Sequence, residues 1–139
     1  MQYHPDANNH AVDVIEREGC EAVLPGLAGF VYQGMASAEW RYETLGVGKR
    51  TRWMKDAAIW ALQRFEEPIR KELARTGGKF AEPVPIKTLA GLVDGVVQLG
   101  NNAGEGWYLT AEMIHMIESG TPNIICAQPF ACLPNHITG

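Results

Sequence analysis

The sequence predicts an α/β fold, rich in helix, built on a small and mainly parallel sheet and truncated at both ends. Two observations carry that expectation. A helix, a glycine, a short apolar strand and a proline-containing turn follow one another near residue 20, and the same order returns near residue 122. Helix-to-strand units of this kind pack into a parallel, Rossmann-like sheet, here containing residues 21–24 and 123–127. The chain also begins with a turn that would follow a strand and stops where a helix would begin. The expectation is therefore a single α/β domain over residues 1–139, or a domain fragment of a larger multidomain protein.

Each element follows from local chemistry. Asp6 or Asn8 can cap a helix whose Ala11, Val12 and Ile15 share one face, and Gly19 stands just past its last turn. Glu21–Leu24 reads as a short strand stopped by Pro25-Gly26. Leu27 to about Glu43 reads as a second helix. The strongest helical signal runs from Lys49 to Arg75, where Trp53, Met54, Ala57, Ala58, Ala61, Leu62, Phe65, Ile69 and Leu73 keep close to a 3.6-residue period. Glu66–Arg70 and Glu67–Lys71 are favourably oriented (i, i+4) pairs, and Pro68 predicts a kink or a fresh start. After Gly77-Gly78 and an extended Pro83–Pro85 linker, a helix is expected from Ile86 to Leu99. The loop from Asn101 to Gly106 feeds an apolar helix, Trp107 to Ile117. Asn123–Ala127 is the second expected strand, with the turn Gln128–Pro134 behind it.

Composition narrows the function. The 139 residues (15.3 kDa) are 46% hydrophobic and 20% charged, ordinary values for a globular chain with a core. No run approaches a membrane span, and Met1–Asp6 carries neither the basic nor the apolar region of a signal peptide. Three cysteines make no disulfide framework, so a reduced, cytoplasmic setting is expected. Net charge is −4, unevenly spread. Residues 41–75 hold nine of the twelve Lys and Arg, whereas residues 101–139 hold none. Neither nucleic acid nor a membrane is indicated as a partner. The run Lys49-Arg50-Thr51-Arg52 reads as a solvated helix start.

Few residues offer chemistry. Cys126 and Cys132 sit at the end of an expected strand and in the loop beyond it, where α/β folds place their sites. Thiolates are natural ligands for iron–sulfur clusters and zinc. Their spacing matches neither common zinc nor ferredoxin patterns, so two ordinary thiols is the plainer reading from spacing alone. Cys20 reads as structural. Gly104-Glu105-Gly106 opens a helix, and free N–H groups there can hold a cofactor phosphate; the competing reading is a tight turn with an acid facing the helix dipole. His115 reads as a packed histidine, and His136 is near enough in sequence to the cysteines to be weighed as a ligand. No hydrolase triad, zinc-protease motif or paired catalytic carboxylates appear.

Three stretches together resemble the large activase-related proteins of the 2-hydroxyacyl-CoA dehydratase system. They are Tyr3–His10 (YHPDANNH), Gly100–Met113 (GNNAGEGWYLTAEM) and Pro122–His136 (PNIICAQPFACLPNH). Members of that family resemble fusions of an ATP-hydrolysing activase with a dehydratase-like region that binds iron–sulfur clusters. The activase passes one electron, at the expense of ATP, to a component that dehydrates a 2-hydroxyacyl-CoA by radical chemistry. The resemblance puts this chain in the dehydratase-like part. Cys126 and Cys132 match the Cys-x-x-Pro-Phe-x-Cys-Leu-Pro motif, which makes them candidate ligands of a 4Fe-4S cluster. Two thiolates do not fill a four-thiolate shell, so the isolated chain is expected to be inactive. The implied partners are other domains of the same polypeptide, dehydratase or activase subunits, an acyl-CoA, and a second copy in a homodimer. The alternative is a non-catalytic interdomain or protein-interaction module with structural cysteines, docking through Trp40, Trp53, Trp60 and Trp107.

Overall fold

In a computed structural model, residues 3–48, 52–80, 82–121, 123–127 and 132–138 are described. They form six α-helices preceded by a 3₁₀ turn at Pro5–Ala7. The helices are α1 (Ala11–Arg17), α2 (Leu27–Leu45), α3 (Arg52–Arg75), α4 (Ile86–Leu92), α5 (Gly106–Glu118) and α6 (Leu133–Thr138). Among the described residues there is no β-strand, so the expected α/β fold with a parallel sheet is incorrect. Residues 21–24 and 123–127 carry no regular structure. Val23, Leu24 and Ile125 face solvent. A short apolar run between turn residues satisfies the sequence criteria for a strand, but a strand exists only when a neighbour takes its N–H and C=O groups. Among the described residues these two runs have no such neighbour.

The helices follow the expected signals more closely. Asn8 Oδ1 accepts the N–H of Ala11 at 3.1 Å and so helps cap α1. Asn9 and His10 both take left-handed backbone at the entry to that helix. His10 is held there between two carboxylates, its Nε2 3.3 Å from Asp6 Oδ1 and its Nδ1 2.8 Å from Asp13 Oδ2. Helix α2 closes on left-handed Gly46, whose N–H donates to Tyr42 O at 3.0 Å. Pro68 lies inside α3 without ending it. The Glu67–Lys71 pair forms at 2.9 Å and Glu66–Arg70 at 3.7 Å. Helix α4 stops seven residues short of its expected end at Leu99, giving way to turns that include left-handed Gly95. The basic run Lys49–Thr51, and Gln128–Ala131 of the expected turn, lie outside the described residues.

The core sits where α2, α4 and α5 meet. Tyr32, Ile86, Leu89, Val93, Trp107, Tyr108 and Ala111 form it, with Val84, Leu99 and Ile114 packed around the edge. Helix α6 rests on α5, and α3 leans on α2. The expectation that all four tryptophans are exposed docking residues is corrected here. Trp107 is fully buried and Trp40 half-buried, while Trp53 and Trp60 are exposed.

Candidate functional site

Helix α5 is the frame on which Tyr3, the loop from Asn101 to Gly106 and α6 come together. Its first turn is anchored inward. Trp107 Nε1 donates to Ser37 Oγ at 2.9 Å, and Ser37 Oγ donates in turn to Gln33 Oε1 at 3.3 Å. All three side chains are buried, so this short chain pairs the polar atoms that α2 and α5 bring into the core. The next residue, Tyr108, points at Gly29 of α2, where a Cβ would overlap the phenol oxygen. Glycine at position 29 is thus what lets the two helices close up. Tyr3 of the N-terminal stretch is near enough to Tyr108 to act on it electrostatically, and its own hydroxyl donates to Pro25 O.

On the other side, the loop from Asn101 to Gly106 receives α6. Gly104 has φ +71°, and a Cβ there would stand 2.8 Å from Pro134 Cγ. Thr138 Oγ1 donates to Gly106 O at 2.9 Å, with Pro134 O also within reach at 3.0 Å. Thr110 Oγ1 donates to Thr138 O at 3.4 Å. The N–H of Trp107 is already given to Asn101 O at 2.9 Å, and a Cβ on Gly106 would overlap that same carbonyl. The two glycines proposed as cofactor-binding, Gly104 and Gly106, therefore meet Pro134 and Asn101. Asn102 Nδ2 is buried with no hydrogen-bond partner among the described residues.

Cys132 precedes α6 and is half-buried; its carbonyl accepts the N–H of His136 at 3.3 Å. Cys126 is exposed, Cys20 is exposed, and all three thiols are free. His136 is exposed on α6, and His115 is half-buried on α5 with Ser119 Oγ 3.4 Å from its Nδ1. Among the described residues no group of three or more His, Cys, Asp or Glu could hold a metal ion. Cys126 and Cys132 have the right donor chemistry for an iron–sulfur cluster, yet the described residues do not complete its ligand set.

One ionisable group escaped the sequence reading. Glu112 accepts a hydrogen bond from Tyr108 Oη one turn earlier on α5. Burial pushes the Glu112 carboxyl up to about 7; the Tyr108 hydrogen bond pulls the other way and is outweighed. The Tyr108 phenol is itself raised, first by burial and then by the carboxylate beside it. A Tyr and a Glu four residues apart on a largely apolar helix was the available signal. Among the described residues no helix is long and apolar enough to cross a membrane. A scan against protein-family models, a search of curated proteins and a search of solved structures each returned no match for this chain.

Proposed function

We propose that the chain is a segment of a 2-hydroxyacyl-CoA dehydratase/activase-related iron–sulfur protein, working in the cytoplasm in ATP-driven electron transfer to a dehydratase. Cys126 and Cys132 supply two of the thiolates that hold the cluster, and the other ligands come from outside the described residues. One observation carries the reading. The three stretches that resemble the family, the outer two more than a hundred residues apart, converge on α5, with Cys132 at the docked end. Both thiols are free and reachable, as ligands awaiting a metal must be.

The chain's own residues have positioning roles. Gly104 and the Thr138 hydroxyl seat α6 against the start of α5, which fixes where Cys132 leaves the helix. When bound, the cluster supplies a one-electron carrier.

Anaerobic reconstitution with ferrous iron and sulfide tests this, run in excess small-molecule thiol that can complete the iron coordination. The expected result is broad visible sulfur-to-iron absorption, reduced in Cys126→Ala and Cys132→Ala and lost in the double variant. No iron uptake, or uptake that survives in the double variant, would overturn the proposal.

A further inference from the structure

Helix α3 is mounted with its apolar side outward. The side toward α2 meets Glu39 and Tyr42 with Lys55, Asp56 and Ile59. Farther along, Tyr32 of α2 lies beside Glu66 and Arg70, and Glu66 Oε2 is buried without a hydrogen bond, with Arg70 Nη2 3.7 Å away. Burial, with Glu66 close by, pushes the Tyr32 phenol up to about 12. On the opposite side, Met54 is 54% exposed, Phe65 81% and Ile69 58%. An amphipathic helix normally buries its apolar stripe and wets its polar one. Here the arrangement is reversed.

The outward stripe reads the same in both directions. Met54, Ala58, Ala61 and Phe65 are spaced four, three and four residues apart, large–small–small–large. That is the spacing of a helix-pairing seam, and its centre falls between Ile59 and Trp60. A two-fold axis through that centre lays Ala58 of one copy on Ala61 of the other. It also lays Met54 on the partner's Phe65 at each end. Small residues in the middle let the helices approach, large ones at both ends fill the flanks, and the antiparallel macrodipoles attract. A surface that is its own complement under a two-fold rotation is what an isologous dimer requires.

Area supports the same occupant. A compact monomer of 15.3 kDa exposes about 7,100 Å², whereas this chain exposes 9502 Å², an excess of about 2,400 Å². That excess is spread over the chain, and exposed Met54, Phe65 and Ile69 put part of it on α3, where an interface of ordinary size would take about 800 Å² from each partner. We propose that α3 is a homodimer interface, in which two copies of this chain pair antiparallel through the Met54–Phe65 stripe. The inference is independent of the iron–sulfur reading, since it uses neither cysteine nor any residue of α5 or α6.

Sedimentation equilibrium of the whole chain is expected to give twice 15.3 kDa. Phe65→Glu is expected to weaken association at least about 30-fold, the loss typical of an aromatic interface anchor. Because Phe65 is exposed in the monomer, its circular dichroism should not change. Orientation is read by mixing Met54→Cys with Phe65→Cys under mild oxidation and mapping the linked peptides by mass spectrometry. The mixture should join residue 54 of one copy to residue 65 of the other. Neither variant alone should link its new thiol to the same position of the other copy, since equivalent positions lie about 16 Å apart along the axis. A monomer at all concentrations would mean that a different partner covers the stripe, and would overturn the proposal. So would a dimer indifferent to Phe65→Glu, or one in which each variant links to itself.

Discussion

Helices α5 and α3 both present tryptophans and a clear helical period, and they come to opposite ends. Helix α5 buries Trp107 completely and Ala111 with it, and pairs the indole N–H across the core. Helix α3 leaves Trp53 at 71% exposure and Trp60 at 68% while turning Glu66 and Arg70 inward. Periodicity reports that a helix has a preferred side; it does not report whether a neighbour exists to cover it. Burial of an aromatic is a property of what stands opposite, and α4 and α2 stand opposite α5.

The contrast breaks most sharply at Trp107. Trp107→Ala is expected to cost about 3–5 kcal/mol of stability, since it empties a fully buried site and leaves Ser37 without its donor. Urea denaturation followed by circular dichroism would measure it, and a loss under 1 kcal/mol would mean that α5 is not the core helix.

Glu112 gives the next effect, and its sign depends on pH. In the unfolded chain the carboxyl titrates near its ordinary 4.5, while in the fold burial raises it to about 7. Below pH 4.5 it is neutral in both states and has no influence. As pH rises toward 7 and beyond, only the folded chain must ionise it in a desolvated place, so its contribution to stability falls across that window. The full decline is on the order of 2 kcal/mol, allowing for partial access of water. Glu112→Gln keeps an acceptor for Tyr108 and should flatten the slope, leaving the variant more stable than the parent at pH 8. Thermal melts at pH 4.5, 6 and 8 would show it; parallel pH profiles for parent and variant would refute it.

A smaller change is expected at the docking of α6. Gly104→Ala combines a left-handed φ with a Cβ pressed on Pro134, at a cost of about 1–2 kcal/mol. The loss should be local, seen as faster amide exchange in residues 133–138 with the α4–α5 core unchanged. Least affected is the outward side of α3. Trp53→Ala, made in the Phe65→Glu background so that association does not interfere, should alter stability by less than about 0.5 kcal/mol.

What was legible in the sequence divides along the same line. Local chemistry placed α1, α3 and α5 nearly where they are: Asn8 beside α1, the acid–base ladder on α3 and the glycine loop before α5 all act within a turn or two of themselves. The sheet was misread because Val23 and Ile125 look like strand residues whether or not another strand is near, and pairing is a long-range fact. The site was half legible. Cys126 and Cys132 stood out by residue type, but the seat that positions Cys132 depends on Thr138 reaching Gly106, 32 residues away. The raised carboxyl of Glu112 depends on its burial in the fold, which no local pattern records.

The unequal burial of the indoles has an optical consequence. Trp107, fully enclosed and edge-on to the Tyr108 ring at 5.9 Å, should emit to the blue and resist quenching by iodide. The indoles at 53 and 60 should emit to the red and be quenched readily. With half-buried Trp40 between these extremes, the unlabelled protein therefore carries two reporters separable at the ends of the range. One follows the integrity of the α2–α5 contact, and the other follows whatever settles on α3.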